Sequence, residues 1–180
     1  MLGLTPWFLL LFGLLALVPV IASRNSRFLA WGAAALGFTF LLEALGVRTG
    51  RIFGAYTYGQ TLGVKLFAVP LVIGFNWLIV VAGINSMIEH LTWNKVAKSA
   101  VVGTGALLFD LILEPVAMGL DYWSWEAGSV PLQNYIAWWI IAFAVTFGYY
   151  SAGTRMGTRV PGIYVVVQAG FLASLLPQVL

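Results

Sequence analysis

The stretch LLFDLILEPVAMGLDYWSWEAGSVPLQN, residues 107–134, decides how this chain is organised. Its first half is apolar enough to lie in a bilayer, yet it carries Asp110 and Glu114 four residues apart. On a helix, residues with this spacing lie one above the other on the same face. Pro115 follows at once and removes a backbone donor, which bends or loosens the helix beside Glu114. Carboxyl groups inside a membrane helix are costly and indicate a functional site by default.

The composition of the whole chain indicates an integral membrane protein. Of its 180 residues 61% are hydrophobic and only 8% are charged, and the mean hydropathy is +0.95. A soluble domain has about 25% charged residues. The chain has room for about six helices of ~20 residues and no separate soluble domain, so we expect residues 1–180 to form a single all-α, polytopic membrane bundle. The first ten residues lack the basic region of a secretory signal, so we expect a retained first helix.

The residue inventory argues against several kinds of chemistry. The chain has no cysteine, which excludes disulfides, iron–sulfur clusters and thiol catalysis. His90 is the single histidine, so we do not expect a histidine metal site or a haem. Asp110 and Glu114 have the spacing of one metal-binding motif of membrane prenyltransferases, but no second acidic motif accompanies them. We predict no cofactor, no metal and no nucleic-acid partner, and membrane lipids as the surroundings.

Apolar runs separated by turn and charge signals predict six spans. They are expected at about residues 6–21, 28–45, 69–89, 100–118, 135–151 and 160–176. The connection between the second and third spans, residues 47–68, is long and rich in glycine and aromatic residues. A connection of this length is often functional. It can be re-entrant only where its backbone is buried in protein or faces water.

Basic residues in the connections predict the orientation of the bundle. The first, third and fifth connections carry Arg24, Arg27, Lys95, Lys98, Arg155 and Arg159. The second carries Arg48, Arg51 and Lys65, and the fourth carries none. The positive-inside rule therefore places the first, third and fifth connections in the cytoplasm and both termini outside. In this orientation the carboxyl groups collect towards the outer side, and only Glu89 lies at the inner face.

The carboxyl pair suits acid catalysis. A carboxyl group buried away from water stays protonated near neutral pH and is a strong proton donor. A second carboxyl group one turn away strengthens this effect. Such a donor suits a reaction that begins with protonation of an alkene, because aromatic faces can stabilise the cation that follows. The candidate aromatic residues are Tyr56, Tyr58, Trp77, Trp123 and Trp125. In the structural alternative, Asp110 and Glu114 bond helices together or pair with Arg48 or Arg51.

Three further acidic residues are weaker candidates. Glu43 lies near a helix end, where it is a candidate catalytic group or a partner of Arg48 or Lys65. Asp121 is a further catalytic candidate. It lies with Glu126 in an interfacial connection, where solvation or capping competes with a chemical role.

Amides and the remaining aromatic residues also have two interpretations. Asn76 and Asn134 can orient a water molecule or a carboxyl group, although bonding between helices is their usual use in membranes. Four tryptophans are more typical of an aromatic belt than of a ligand cage: Trp123, Trp125, Trp138 and Trp139. Glu89 and His90, at the inner end, are expected on the surface.

An ordered set of short motifs carries a resemblance to a known family. The set is Phe53-Gly54-Ala55-Tyr56-Thr57-Tyr58, Gly63, Val69-Pro70, Asn76-Trp77, Asp110-x-x-x-Glu114-Pro115-Val116-Ala117, Trp123-x-Trp125, Val130-Pro131 and Asn134-Tyr135-x-x-Trp138. With these motifs the chain resembles the carotenoid biosynthesis membrane protein family, which includes carotenoid 1,2-hydratases and bisanhydrobacterioruberin hydratases. The resemblance runs from about Glu43 to the sixth span. The ordered combination is more specific than any single motif.

The resemblance implies cofactor-free addition of water to the terminal C1=C2 double bond of a linear carotenoid, such as lycopene, γ-carotene or bisanhydrobacterioruberin. It implies that Asp110 or Glu114 protonates C2 and that water adds to the tertiary cation at C1. Glu43 or Asp121 would position the water. Substrate contacts are expected from Tyr56, Tyr58, Asn76, Trp77, Trp123, Trp125 and Asn134. An apolar groove between spans would hold the polyene.

Two other functions stay open at this point. A lycopene cyclase-type enzyme protonates the same end group but lets an internal alkene quench the cation, so a bound position for water discriminates the two. A non-enzymatic carotenoid or lipid carrier, or a small transporter, would need acidic groups along a path to both faces, whereas the sequence groups them on one side. Assembly into a homo-oligomer also stays open.

Overall fold

The computed structural model describes residues 2–179 as a bundle of six long helices. They are α1 (Thr5–Ala22), α2 (Ser26–Thr49), α3 (Leu71–Ile88), α4 (Lys95–Gly119), α5 (Leu132–Ser151) and α6 (Val160–Val179), with one 3-10 turn (Leu2–Leu4) before α1. These helices coincide with the predicted spans, and the prediction of an all-α bundle is confirmed. Five of them, all but α5, are long and apolar enough to cross a membrane. α5 has 20 residues, but its amides, tyrosines and tryptophans lower its hydropathy.

α3 is the central helix of the bundle. Buried residues make up 72% of its apolar stretch but only 22% of that in α6, and α3 contacts all five other long helices. α4 packs mainly against α5. α1, α2 and α6 turn leucine, valine and phenylalanine side chains outward. An apolar outer surface around a tightly packed interior is what a bilayer requires.

Glycine allows α3 and α6 to approach each other closely. A Cβ atom on Gly83 would lie 2.4 Å from Cγ2 of Val165 and 2.7 Å from the carbonyl oxygen of Pro161. A Cβ atom on Gly162 would lie 2.4 Å from Cγ of Met87. Small residues at such crossings are the usual means of close helix packing in membranes. The start of α6 is therefore fixed against the central helix.

Short strands in two connections form a cap over one end of the bundle. They are β1 (Tyr56–Tyr58), β2 (Lys65–Leu66), β3 (Val69–Pro70) and β4 (Trp123–Trp125). β1 pairs antiparallel with β4, and β2 with β3. Gly59 follows β1 at a close approach, where a Cβ atom would lie 2.1 Å from the carbonyl oxygen of Asp121. The connection after α2 is thus joined to the connection after α4.

The cap differs in detail from the sequence prediction. The region expected as an irregular connection, residues 47–68, begins with the last turn of α2 and continues into folded strands. Phe53 and Leu62 within it are buried. Trp123 and Trp125, which the sequence places in the connection after the fourth span, lie in a strand, and a turn follows them. Strands of three residues are too short to show a period in sequence.

Glu89 organises the opposite end of the bundle. Its carboxylate accepts hydrogen bonds from the Tyr149 hydroxyl (2.8 Å) and from the backbone N–H groups of Met156 (2.9 Å) and Gly157 (2.7 Å). Glu89 is half-buried, because the connection before α6 folds back over the end of α3, so the predicted surface position is only partly right. His90 is exposed, as predicted.

Replacing Gly83 by alanine should lower the free energy of unfolding by about 1–3 kcal/mol, because the added methyl group overpacks the contact between α3 and α6. Gly148→Ala is the matched control, since Gly148 also lies inside a helix and its Cβ atom would meet nothing within 4 Å. Thermal unfolding of both variants in the same detergent tests this difference. Equal transition temperatures would contradict the close approach of the two helices.

Candidate active site

Three buried carboxyl groups meet under the cap. Glu43 of α2 is 3% exposed, and Asp110 and Glu114, on successive turns of α4, are 1% and 2% exposed. All three line a cavity of about 100 Å³. The cavity therefore collects half of the six acidic residues of the chain at one end of the bundle.

Glu114 is surrounded by hydrogen-bond donors. Its Oε2 atom accepts from the indole N–H groups of Trp123 and Trp125, each at 2.9 Å. Its Oε1 atom accepts from Nδ2 of Asn134 at 3.1 Å. Alternate residues of a strand point to the same side, which explains how both tryptophans of β4 reach one oxygen. An ionised carboxylate only accepts hydrogen bonds, and the surroundings of Glu114 match that form.

Asp110 has a different environment. Its Oδ2 atom accepts from Nδ2 of Asn134 at 2.7 Å, so Asn134 bridges the two carboxyl groups of α4. Its Oδ1 atom is buried and has no hydrogen-bond partner among residues 2–179. A protonated carboxyl group has one O–H donor, and Oδ1 is the oxygen of Asp110 that is free to present it.

Two tyrosines of β1 hold Glu43. Its Oε2 atom accepts from the hydroxyl groups of Tyr56 and of Tyr58, the latter at 2.8 Å. Burial, and then the adjacent Glu43 carboxylate, raise the pKa of both tyrosine hydroxyls above their usual range, so both stay protonated as donors. Lys65 donates instead to the backbone carbonyl of Tyr58 at 2.7 Å. The side chain of Arg48 is exposed, so neither of the expected alternative partners replaces the two tyrosines at the buried Glu43 carboxyl group.

The donors to the carboxyl groups are phenols, indoles and an amide. Arg48 and Arg51, the partners in the structural alternative, both have exposed side chains. Among residues 2–179, no group of His, Cys, Asp and Glu side chains is placed to hold a metal ion. The arrangement provides buried carboxyl groups with neutral hydrogen-bond partners, which suits proton transfer within an apolar cavity.

Aromatic rings form a wall of the cavity. Trp77 stacks on Trp138 with ring centroids 3.6 Å apart, and Phe53 stacks on Trp138 at 5.0 Å. Trp123, Trp125 and Trp138 are all buried and line the cavity. Of the two interpretations of these tryptophans, the aromatic belt therefore does not hold for these three. For Trp138 the signal was its position four residues after Asn134, which places both on one face of α5.

A pair of amides completes the lining. Nε2 of Gln168 in α6 donates to Oδ1 of Asn76 in α3 at 2.8 Å, and both side chains line the cavity. Asn76 was predicted as a site residue, whereas Gln168 was missed. The available signal was a lone amide within the apolar sequence of span six, because polar groups inside a membrane usually have a purpose.

Asp121 lies outside this set of residues. Its side chain is exposed and it does not line the cavity. Its backbone has a left-handed φ of 56°, and its carbonyl oxygen lies against Gly59, so it forms the corner between α4 and β4. Glu126 is exposed as well. We therefore leave Asp121 out of the proposed catalytic set.

An apolar groove between α1 and α6 joins the cavity. Its volume is about 600 Å³. Four of its lining residues do not also line the cavity: Phe8, Phe12, Tyr164 and Val167. The residues that line both spaces are Thr5, Leu9, Leu120, Tyr122, Gln168, Phe171 and Leu175. The cavity that holds the carboxyl groups is thus continuous with a larger apolar space.

Replacing both Trp123 and Trp125 by phenylalanine should lower the free energy of unfolding by about 1–3 kcal/mol, because Oε2 of Glu114 would stay buried without a donor. The same two substitutions should cost less in a Glu114→Met background, where no buried acceptor remains. Trp139→Phe is the control, since its indole donates to Thr104 at an exposed position. Denaturant unfolding in detergent measures the wild type and the four variants, and an equal cost in both backgrounds would contradict the assigned hydrogen bonds.

Comparison with known proteins agrees with the motifs in the site. The carotenoid biosynthesis protein family matches residues 4–175. The bisanhydrobacterioruberin hydratase of Haloarcula japonica is 33% identical over 135 residues, which cover 68% of this chain and 46% of the relative. The chain thus spans about half the length of this curated relative. No solved structure matches the chain. From the match over residues 4–175 and its apolar helices, the chain is an integral membrane member of the carotenoid biosynthesis protein family.

Proposed function

We propose that this chain is a cofactor-independent enzyme that hydrates the terminal C1=C2 double bond of a linear carotenoid. The observation that carries the proposal is the free Oδ1 atom of Asp110, which lies in a buried cavity with Glu114 and aromatic rings. The family gives the class of substrate. The name of the Haloarcula japonica relative favours water as the second reactant.

The reaction needs only a proton donor, a protected cation and water. Asp110 gives its proton to C2, and the electron pair of the double bond forms the new C–H bond. The tertiary cation at C1 is stabilised by the Glu114 carboxylate and by aromatic faces such as that of Trp77. Water attacks C1, and one of its protons returns to Asp110. The net change is addition of one water molecule, and the catalyst is regenerated.

The two connected spaces suit a long substrate with one reactive end. A water molecule takes ~30 Å³ in the liquid, so a cavity of about 100 Å³ has room for the tip of a polyene and not for its length. The polyene chain would lie in the groove between α1 and α6. Lycopene, γ-carotene and bisanhydrobacterioruberin-like molecules share such a reactive end. They would enter the groove laterally from the lipid bilayer.

The distribution of basic residues supports one orientation of the bundle in the membrane. A guanidinium N–H of Arg27 donates to the carbonyl of Gly153 at 3.4 Å, and Lys98 donates to the carbonyl of Glu89 at 3.1 Å. The basic first, third and fifth connections thus meet at the end opposite the cap. We place that end in the cytoplasm, with both termini and the carboxyl cavity towards the outer side.

Asp110→Asn should reduce hydration by about 100-fold or more, since a general acid contributes ~10²–10⁴-fold. Glu114→Gln should also reduce it by about 100-fold or more, since it removes the negative charge that stabilises the cation, and loss of one such stabilising group costs ~10²–10³-fold. The assay expresses each variant in cells that accumulate lycopene and separates the pigments by chromatography and mass spectrometry. Glu126→Gln is the control, because it removes an exposed carboxylate that does not line the cavity. It should leave the product yield unchanged.

The same assay tests the competing functions. An isomer of unchanged mass with a shifted absorption spectrum would show a cyclase and overturn hydration. Normal amounts of hydrated product from folded Asp110→Asn and Glu114→Gln proteins would overturn the assignment of the site.

A further inference from the structure

Gln168 has a free buried oxygen. The single hydrogen bond between its Nε2 atom and Oδ1 of Asn76 leaves Oε1 of Gln168 buried and without a partner among residues 2–179. Buried polar side-chain atoms nearly always bind protein or water. An unpaired amide oxygen buried within a membrane helix bundle therefore needs a ligand that can donate a hydrogen bond.

The position of Gln168 limits what that ligand can be. Gln168 is the one amide among the residues that line both the cavity and the groove, so it lies where the reactive end of a polyene would pass. Asp110, with its own free oxygen, lines the same cavity. A ligand here has to fit beside the polyene end in about 100 Å³, so it has to be small.

The amide pair matches the hydrogen bonds of water. The bond between Gln168 and Asn76 uses one N–H₂ group and one carbonyl oxygen, and it leaves one donor group and one acceptor. The same count holds if the O and N atoms of both amides are interchanged, because one donor group and one acceptor are still left over. Water donates and accepts, so it can bind both remaining groups at once.

We propose that Gln168, held by Asn76, binds the water molecule that adds to C1; this rests on the proposed hydration. Oε1 of Gln168 accepts a hydrogen from the water and leaves an oxygen lone pair free to attack the cation. The proton lost after attack goes to Asp110, so Gln168 positions the water and takes no proton. Gln168 thereby fills the role that the sequence suggested for Glu43 or Asp121.

This assignment separates the two halves of the reaction. Protonation of C2 depends on Asp110 and on the groups that stabilise the cation, whereas capture of the cation depends also on the held water. When water is not held, the cation loses a proton again and restores an alkene. In heavy water the donated proton is a deuteron. A cation that then loses one of its ordinary hydrogens, from C2 or from a methyl group on C1, gives a polyene that retains deuterium without gaining oxygen.

The test follows both products of purified protein in heavy water with unlabelled lycopene. Gln168→Met keeps the length of the side chain and removes the amide. It should lower the hydrated product about tenfold, the change expected for loss of one hydrogen bond. Deuterium in the unhydrated polyene should stay at the wild-type level or rise. Asp110→Asn should lose both signals.

The controls make each outcome decisive. Ser174→Ala lies on the same helix at an exposed position and should change neither signal. Gln168→Leu is the second apolar variant if Gln168→Met does not fold. Wild-type hydration by a folded variant, or equal loss of hydration and deuterium exchange, would overturn the water site. A wild-type protein that exchanges deuterium but makes no hydrated product would overturn the proposed hydration, and with it this site.

Discussion

The hydrogen bonds to the buried carboxyl groups are the constraint on which the rest of the structure depends. Removing three such groups from water is costly unless each finds partners. Helix backbone cannot supply these donors, because its N–H groups are already used within the helix. The donors come from side chains: two tyrosines of β1 for Glu43, and two tryptophans of β4 and Asn134 for Glu114. The strands of the cap thus supply most of the hydrogen bonds that allow these carboxyl groups to be buried.

Pairing of β1 with β4 connects this chemistry to the fold. The pairing sets Tyr56 opposite Trp125, so the donors to Glu43 and to Glu114 are fixed relative to each other. Glu43 on α2 and Glu114 on α4 both accept hydrogen bonds from this pair of strands. Asp110 lies one turn deeper and receives only Asn134, which leaves it the one carboxyl of the three with an unbonded buried oxygen. The difference between Asp110 and Glu114 therefore follows from distance to the cap.

Much of the site was predictable because its parts recur as short motifs. The sequence identified the six helices, the carboxyl pair, and the tyrosines, tryptophans and asparagines that surround it. It could not show that β1 pairs with β4, since three-residue strands far apart in the chain carry no periodic signal. Gln168 was missed because a lone polar residue in an apolar helix does not by itself reveal which way it faces. Trp138 was interpreted as part of an aromatic belt, although its spacing from Asn134 places both residues on one face of α5. Asp121 was a catalytic candidate, but its side chain does not line the cavity. Closeness to Trp123 along the chain does not decide on which side of the cap a side chain lies.

The central claim is that a cation made by Asp110 in this cavity is captured by water. The most direct measurement supplies lycopene to the purified protein in water enriched in heavy oxygen and follows the mass and the absorption spectrum of the product. The account predicts a tertiary alcohol that carries the heavy oxygen and keeps the chromophore of lycopene. A product without the label, or an isomer of unchanged mass with a shifted spectrum, would contradict it.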